Sequence, residues 1–91
     1  MKRIVLKLYV AGRTPRTEQA VSVMKEICAR DLANRYELAV IDVLERPQLA
    51  EDERILATPT VVKELPPPLR RVVGDLSDRE RVLVGLDLAV G

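Results

Sequence analysis

The apolar positions in the first part of the chain follow strand spacing and then helix spacing. Residues 3–10, RIVLKLYV, are rich in β-branched and large apolar side chains and end at Ala11-Gly12, which predicts a mostly buried strand. Thr14-Pro15 then predicts a helix start, because a hydroxyl can accept an orphan amide hydrogen and proline has no amide to leave unpaired. The apolar stripe of this helix, predicted to run to about Asn34, consists of Ala20, Val21, Met24, Ile27, Cys28 and Leu32.

Two strands and a short helix are predicted in the middle of the chain. Residues 36–43, YELAVIDV, carry apolar side chains on both faces, which is typical of a central strand covered on two sides. A short, mostly solvated helix is expected from Pro47 through Leu56, followed by a strand in TVVKEL, residues 60–65. The first strand, the first helix and the second strand form a βαβ unit, in which the two strands are expected to be parallel.

The stretch LPPPLRRVVGDL, residues 65–76, supports two interpretations. Counted in steps of three and four, its apolar residues form one face of a helix; counted in twos, Leu69 and Val73 flank Arg71 on one side of a strand. The helical face would consist of Leu69, Val72, Val73 and Leu76. Periodicity leaves both interpretations open.

The end of the chain is ambiguous in the same way. Ser77 and Glu80 have the spacing of a capping box, which predicts a helix start. Gly85 lies inside that helix, where glycine costs about 1 kcal/mol relative to alanine. Residues 82–90 also place apolar side chains at every second position, as a strand does. The second half of the chain therefore has two candidate folds.

Composition limits the class of protein. The 91 residues, 47% hydrophobic and 32% charged, are expected to form one small globular domain, and no apolar run approaches the ~20 residues of a bilayer span. Fifteen basic and fourteen acidic residues give a net charge of +1, and the aromatic residues are two tyrosines, so nucleic-acid binding is not expected. The first residues do not have a secretory pattern, which predicts a cytoplasmic protein without membrane attachment.

The sequence offers little for common enzyme chemistry. It contains no histidine and one cysteine, Cys28, whose place on the apolar helix stripe predicts a buried structural thiol. The spacing of Asp42, Asp75 and Asp78 does not identify a paired acid and base. We therefore expect a protein without catalytic, cofactor-binding or metal-binding residues.

The predicted order of elements, βαβαββα, is that of the thioredoxin-like fold. Redox proteins with this fold carry C-x-x-C between the first strand and the first helix. This chain has Thr14-Pro15-Arg16-Thr17 there, so dithiol exchange is not expected at that position. Pro59 occupies the place of the cis-proline before the third strand, and we expect a cis Thr58-Pro59 bond in this arrangement.

Several segments together resemble the KaiB family of circadian clock proteins over nearly the whole chain. In order, they are KLYVAG-TP, VIDVL--PQLAE, ILATPT, LPPP and GDLSDRE-VL-GLDL. The resemblance implies two folds: a thioredoxin-like monomer, and a βαββααβ ground state, usually a tetramer, in which the proline region is helical and residues 82–90 form a strand. Under this hypothesis residues 1–45 are common to both folds and residues 46–91 rearrange, so each double pattern serves both states.

The resemblance also implies a function without catalysis. The thioredoxin-like monomer of the family binds the N-terminal ATPase ring of phosphorylated KaiC, displaces the kinase SasA and, where KaiA is present, captures it, so that KaiC dephosphorylates. A partner that selects a scarce state makes refolding a slow step suited to timing. As a hypothesis, we attribute the slowness to the prolines at 59 and 66–68, because uncatalysed isomerisation takes on the order of tens of seconds.

Matching positions assign candidate residues to these two roles. The fold-switch candidates are Pro59, Pro66, Pro67, Pro68, Gly85 and Asp87, and the partner-binding candidates are Gln48, Glu51 and Arg54. A helix-forming residue at Gly85 is expected to favour the state in which that segment is a helix. The loop before the first helix carries Arg13 and Arg16 where relatives have polar residues, which leaves KaiA capture open.

Two other functions stay open on the sequence. A thioredoxin-like redox or stress protein would use Cys28 as its reactive thiol. A fixed-fold adaptor in a signalling complex would keep a single fold at every concentration.

Overall fold

The helices and strands follow one another in the predicted βαβαββα order, which confirms the thioredoxin-like prediction. The computed structural model describes residues 3–31 and 35–88. Within these ranges the elements are β1 (Ile4–Val10), α1 (Pro15–Asp31), β2 (Tyr36–Asp42), α2 (Pro47–Asp52), β3 (Thr60–Leu65), β4 (Arg70–Val73) and α3 (Arg79–Gly85). The predicted end of the first helix near Asn34 lies outside the described residues.

The described strands form one sheet in the order β2-β1-β3-β4. β2 runs parallel to β1, as expected for a βαβ unit, whereas β3 is antiparallel to β1 and β4 is antiparallel to β3. In the middle of β1, Leu8 lies between Val40 of β2 and Val61 of β3. β1 is therefore the strand that joins the first half of the chain to the second.

The prediction that residues 36–43 form a central strand is wrong. β2 lies at the edge of the sheet, and Val40 is 46% exposed. Both faces of a strand with apolar side chains on each face are buried only when a helix packs on each side of the sheet. Here α2 is too short for that, because it ends at Asp52 rather than at Leu56 and contributes no buried residue.

The starts of α1 and α3 are both capped by side chains, but only the first as predicted. The hydroxyl oxygen of Thr14 accepts the amide hydrogen of the third residue after it at 3.1 Å. At α3 the N-cap is Asp78, whose carboxylate accepts the amide hydrogen of Arg81 at 3.2 Å. Ser77 instead donates its amide hydrogen to Asp75 at 2.9 Å. The predicted cap at Ser77 is therefore wrong by one residue, since a carboxylate next to it takes that role.

The core lies between one face of the sheet and the helices α1 and α3. The sheet contributes Leu6, Leu8, Val10, Val61 and Val72, and the helices with their flanking residues contribute Ala20, Met24, Ile27, Cys28, Leu76, Val82, Leu83 and Leu86. Cys28 is fully buried, as its place on the apolar stripe predicts. Among the described residues, no helix is long and apolar enough to cross a membrane.

One of the two interpretations holds for each ambiguous segment in this structure. Residues 70–73 are a strand, with Val72 in the core and Leu69 and Val73 about half exposed. Residues 79–85 are a helix that buries Val82 and Leu83. Strand and helix together are the thioredoxin-like alternative of the two folds considered above.

Gly85, the last residue of α3, packs directly against β4. A Cβ atom at this position would lie 2.5 Å from Val72 Cγ2 and 3.8 Å from Val72 Cβ. That methyl group has little freedom to move, because β-branched side chains are stiff at χ1. Helix propensity favours alanine over glycine by about 1 kcal/mol, whereas overpacking costs about 1–3 kcal/mol. The expectation from propensity alone therefore omits an opposing contact.

We expect the substitutions Gly85→Ala and Val72→Ala to be coupled. With Val72 present, the new methyl group meets its side chain and the gain in helix propensity is offset. In the Val72→Ala background the contact is gone, and Gly85→Ala should raise the free energy of unfolding by up to about 1 kcal/mol. A double-mutant cycle measured by urea unfolding should give a coupling of at least about 1 kcal/mol. Equal effects of Gly85→Ala in both backgrounds would contradict this packing.

Candidate functional site

The position that holds C-x-x-C in redox proteins of this fold is an ordinary helix start in this chain. Thr14 and Thr17 face each other across the first turn of α1, with their hydroxyl oxygens 3.2 Å apart. Pro59 is buried just before β3, and the Thr58-Pro59 bond is cis, as expected. The carbonyl of Pro59 accepts the amide hydrogen of Gly74 at 2.9 Å, after the end of β4. The frame of a redox site is kept, with hydroxyl groups where the thiols would be.

Cys28 is poorly placed for thiol chemistry. Its side chain is fully buried in the core face of α1, and burial raises the pKa of the thiol to about 11. Because the thiolate is the reactive species, a thiol that stays protonated and inaccessible at neutral pH is inert. The geometry gives no support to a redox function that uses Cys28.

The aspartates singled out in the sequence hold the backbone and form no acid–base pair. Asp42 accepts the amide hydrogens of Gly12 at 3.0 Å and Leu44 at 2.9 Å, which fastens the turn after β2 to the end of β1. The amide and hydroxyl of Ser77 both donate to Asp75 and hold the pKa of that carboxyl below its usual value. Within residues 3–31 and 35–88, no His, Cys, Asp or Glu side chains form a group of three or more that could hold a metal ion.

The three partner-binding candidates lie on α2 and at its carboxyl end. They form the α2 surface, which consists of Gln48, Leu49, Glu51 and Arg54 with the flanking Leu44 and Leu56. All six residues are exposed, and the exposed fractions of Leu44 and Leu56 are 70% and 95%. Gln48 and Glu51 are three residues apart and are therefore neighbours on one side of the helix. Contiguous exposed apolar patches, especially when polar residues surround them, mark protein-binding surfaces.

α2 ends in a Schellman motif in which Arg54 is the left-handed residue. The φ angle of Arg54 is 54°. Its amide donates to the carbonyl of Glu51 at 3.1 Å, and the amide of Ile55 donates to the carbonyl of Ala50 at 2.9 Å. Glycine is the preferred residue at such a position because it has no Cβ. The motif fixes where the chain leaves α2, and with it the place of Arg54 on the α2 surface.

The fold-switch candidates do not form one site. Pro59 precedes β3, whereas residues 66–68 form the turn at the opposite end of β3, where the Leu65-Pro66 and Pro67-Pro68 bonds are also cis. Gly85 and Asp87 lie at the end of α3. What these residues share is that each lies at an end of an element in the second half of the chain.

Asp87 is the left-handed residue of a second Schellman motif. Its φ angle is 59°, its amide donates to the carbonyl of Val84 at 3.0 Å, and the amide of Leu88 donates to the carbonyl of Leu83 at 2.8 Å. A non-glycine residue in this conformation costs about 1 kcal/mol. Asp87 also lies just after the carboxyl end of α3, where the helix dipole disfavours a negative charge. Both effects lower the stability of the end of α3.

Comparison of the sequence with known proteins decides the family. The profile of the KaiB domain matches residues 7–88. The chain belongs to the KaiB family. It is 61% identical over 87 residues to a circadian clock oscillator protein KaiB of Prochlorococcus marinus, an alignment that covers 96% of this chain and 74% of the relative.

Two solved structures place the fold of this KaiB family member among its neighbours. The N-terminal domain of Synechococcus elongatus SasA is similar with a TM-score of 0.77 and 32% identity, over 100% of this chain and 90% of that one. The germline-specific thioredoxin Deadhead of Drosophila melanogaster has a TM-score of 0.74 at 18% identity, over 97% of this chain and 82% of its own. The second likeness shows the thioredoxin-like fold only.

Sequence reasoning missed three features of this site. They are the exposure of Leu44, the left-handed conformation of Arg54 and Asp87, and the bonds from Arg71 to the carbonyls at the end of α2. The last feature has no sequence signal, because a contact between residues 17 or 18 positions apart depends on the register of β4. The left-handed residues lacked the glycine that usually marks a Schellman motif.

Replacing Asp87 by glycine should stabilise the thioredoxin-like state. Glycine removes the cost of the left-handed backbone and the unfavourable carboxylate, so we expect the free energy of unfolding to rise by about 1 kcal/mol. Urea unfolding of Asp87→Gly measures this. Asp87→Ala is the control, since it removes the charge but keeps a Cβ in the left-handed conformation, and it should gain clearly less. A gain from alanine equal to that from glycine would show that backbone conformation is not the cause.

Proposed function

We propose that this chain is a non-enzymatic circadian clock component whose thioredoxin-like state binds the N-terminal ATPase ring of phosphorylated KaiC in the cytoplasm. The observation that carries the proposal is the α2 surface. The family resemblance assigns Gln48, Glu51 and Arg54 to partner binding, and all three are exposed residues of α2 and its carboxyl end. The chain belongs to a clock-protein family.

The α2 surface has the physical properties of a docking site. Its leucine side chains are exposed to solvent. Fully burying one leucine side chain contributes about 1.5–3 kcal/mol to association. Its charges are of both signs, with Glu51 on the helix and Arg54 after it, which favours a partner with a matching pattern. Since no residue of α2 is buried, the helix can be covered by a partner without disturbing the core.

Competition with SasA follows from the same proposal. The N-terminal domain of SasA has a similar fold at 32% identity over all of this chain. Two similar folds that present similar surfaces can compete for one site on KaiC, and displacement of SasA is the expected result. Capture of KaiA, where that protein is present, and dephosphorylation of KaiC would follow docking.

We further propose that the thioredoxin-like state is one of two folds of the chain. The support is the double pattern of residues 65–76 and 82–90, together with non-glycine residues at both left-handed helix ends in residues 46–88. The second fold, βαββααβ, would rearrange residues 46–91 around the common residues 1–45 and would self-associate as a dimer or tetramer. The fold-switch candidates Pro59, Pro66, Pro67, Pro68, Gly85 and Asp87 belong to this part of the proposal.

Binding to KaiC tests the role of the α2 surface. The triple variant Gln48→Ala, Glu51→Ala, Arg54→Ala removes its polar contacts without touching a buried residue. We expect its Kd for a phosphomimetic KaiC N-terminal ring, measured by biolayer interferometry, to rise at least about tenfold.

The control is a second triple variant of matched chemistry on the exposed side of α1: Ser22→Ala, Lys25→Ala, Glu26→Ala. It should bind KaiC as the wild type does. Equal losses in the two triple variants would remove the α2 surface from the proposal. A wild-type chain that does not bind the ring would end the proposed function itself.

A further inference from the structure

α2 is too short to hold its own position. It has six residues, none of them buried, and isolated helices below about 12–15 residues are marginal in water. Within the helix, the side chain of Gln48 donates to the Asp52 carboxylate at 2.9 Å, but this bond ties the helix only to itself. A contact from outside the helix must therefore fix α2 against the sheet.

Arg71 of β4 supplies such a contact. Its guanidinium donates from Nη2 to the carbonyl of Glu53 at 3.1 Å and from Nη1 to the carbonyl of Arg54 at 3.5 Å. These two carbonyls belong to the last residues of the Schellman motif at the carboxyl end of α2, and neither of them accepts one of the motif's own hydrogen bonds. A cation at this end is favoured by the helix dipole, and the planar guanidinium has several donors in a rigid fork that can engage two acceptors at once.

The register of the sheet explains why Arg71 reaches α2. Arg71 lies opposite Val62 of β3, and Val62 lies opposite Lys7 of β1, so all three side chains are on the sheet face away from α1 and α3. The hydrogen bond to Glu64 is the main cause that raises the pKa of Lys7, and burial is the main cause that raises the pKa of Tyr9. The charge of Glu53 adds to both shifts, so its carboxylate lies near this face as well. A shift of β4 by one residue would place Arg71 on the other face.

We propose that Arg71 is a positioning residue that couples the strand state of residues 70–73 to the place of α2, and through α2 to the partner. The last link rests on the proposed function; the first link does not. Without the β4 strand the guanidinium has no fixed place over the carbonyls of Glu53 and Arg54. If residues 65–76 form a helix instead, Arg71 does not lie on the apolar face of that helix. The packing of β4 on the sheet would then no longer orient the Arg71 side chain.

Three variants at two neighbouring arginines separate the effect of the position of the guanidinium from the effect of its charge. Arg71→Met removes the guanidinium and keeps an apolar stem, while Arg70→Met removes the same charge from the adjacent residue. Arg70 is exposed and lies on the opposite face of β4. Arg71→Lys keeps the charge at position 71 but lacks the fork.

Amide hydrogen exchange measures the first link without any partner. The amides of Glu53, Arg54 and Ile55 donate to carbonyls of α2, so their protection reports whether the helix end is held. Under conditions where the thioredoxin-like state is populated, we expect Arg71→Met to speed their exchange by about tenfold, with core amides of β1 unchanged. Arg70→Met should leave all of these rates unchanged, and Arg71→Lys should recover less than half of the loss.

Binding to a phosphomimetic KaiC N-terminal ring measures the second link. The proposal expects a weaker Kd for Arg71→Met, by about tenfold, and a wild-type Kd for Arg70→Met. Unchanged exchange at residues 53–55 in Arg71→Met, or full recovery by lysine, would overturn the positioning role. If the wild-type chain does not bind KaiC, the proposed function fails, and the exchange rates still decide whether Arg71 holds α2.

Discussion

The antiparallel pairing of β3 with β1 is the interaction on which the second half of the structure depends. β1 is held by β2 on one side and by β3 on the other. Within residues 3–31 and 35–88, β4 pairs only with β3, and α3 packs on β4 and α1. α2 adds no buried residue. The proposed second fold would exchange this half of the chain and keep the β1-α1-β2 unit.

The local choices in that second half keep its stability modest. Both of its helices end in a left-handed residue that is not glycine, Arg54 and Asp87, and each gives up stability that glycine would supply. Gly85 is the reverse case, because a residue with poor helix propensity is kept where Val72 leaves no room for a Cβ. Such conflicts between local preference and packing are expected where one sequence serves two folds with a small free-energy gap. The partner can then select a state by binding it.

Much of the fold was predictable from the sequence, and the site was predictable only in part. The order of β1, α1 and β2, the Thr14 cap and the burial of Cys28 follow from local chemistry and periodicity, which act over a few residues. The cis bond before Pro59 is expected only from the thioredoxin-like order of elements. The edge position of β2 depends on the order of the strands in the sheet, the Asp78 cap depends on which of two adjacent side chains reaches the start of α3, and the contact from Arg71 depends on strand register. Lys63 is only 2% exposed although it is charged, and it lies opposite Leu6 of β1 on the core face of the sheet, a placement that was not predicted from the sequence. The periodicity of apolar residues does not show which residues far apart in the sequence are in contact.

The backbone NMR spectrum of residues 71–73 and 82–85, with and without the KaiC N-terminal ring, tests the central claim that one chain has two folds and the partner selects one. The free chain should give two sets of amide resonances in slow exchange, one with strand shifts at 71–73 and helix shifts at 82–85 and one with the reverse. After addition of the ring, the set with strand shifts at 71–73 and helix shifts at 82–85 should be the one that remains. A single set of resonances at every concentration, unchanged in secondary shifts by KaiC, would contradict the account and favour a fixed-fold adaptor.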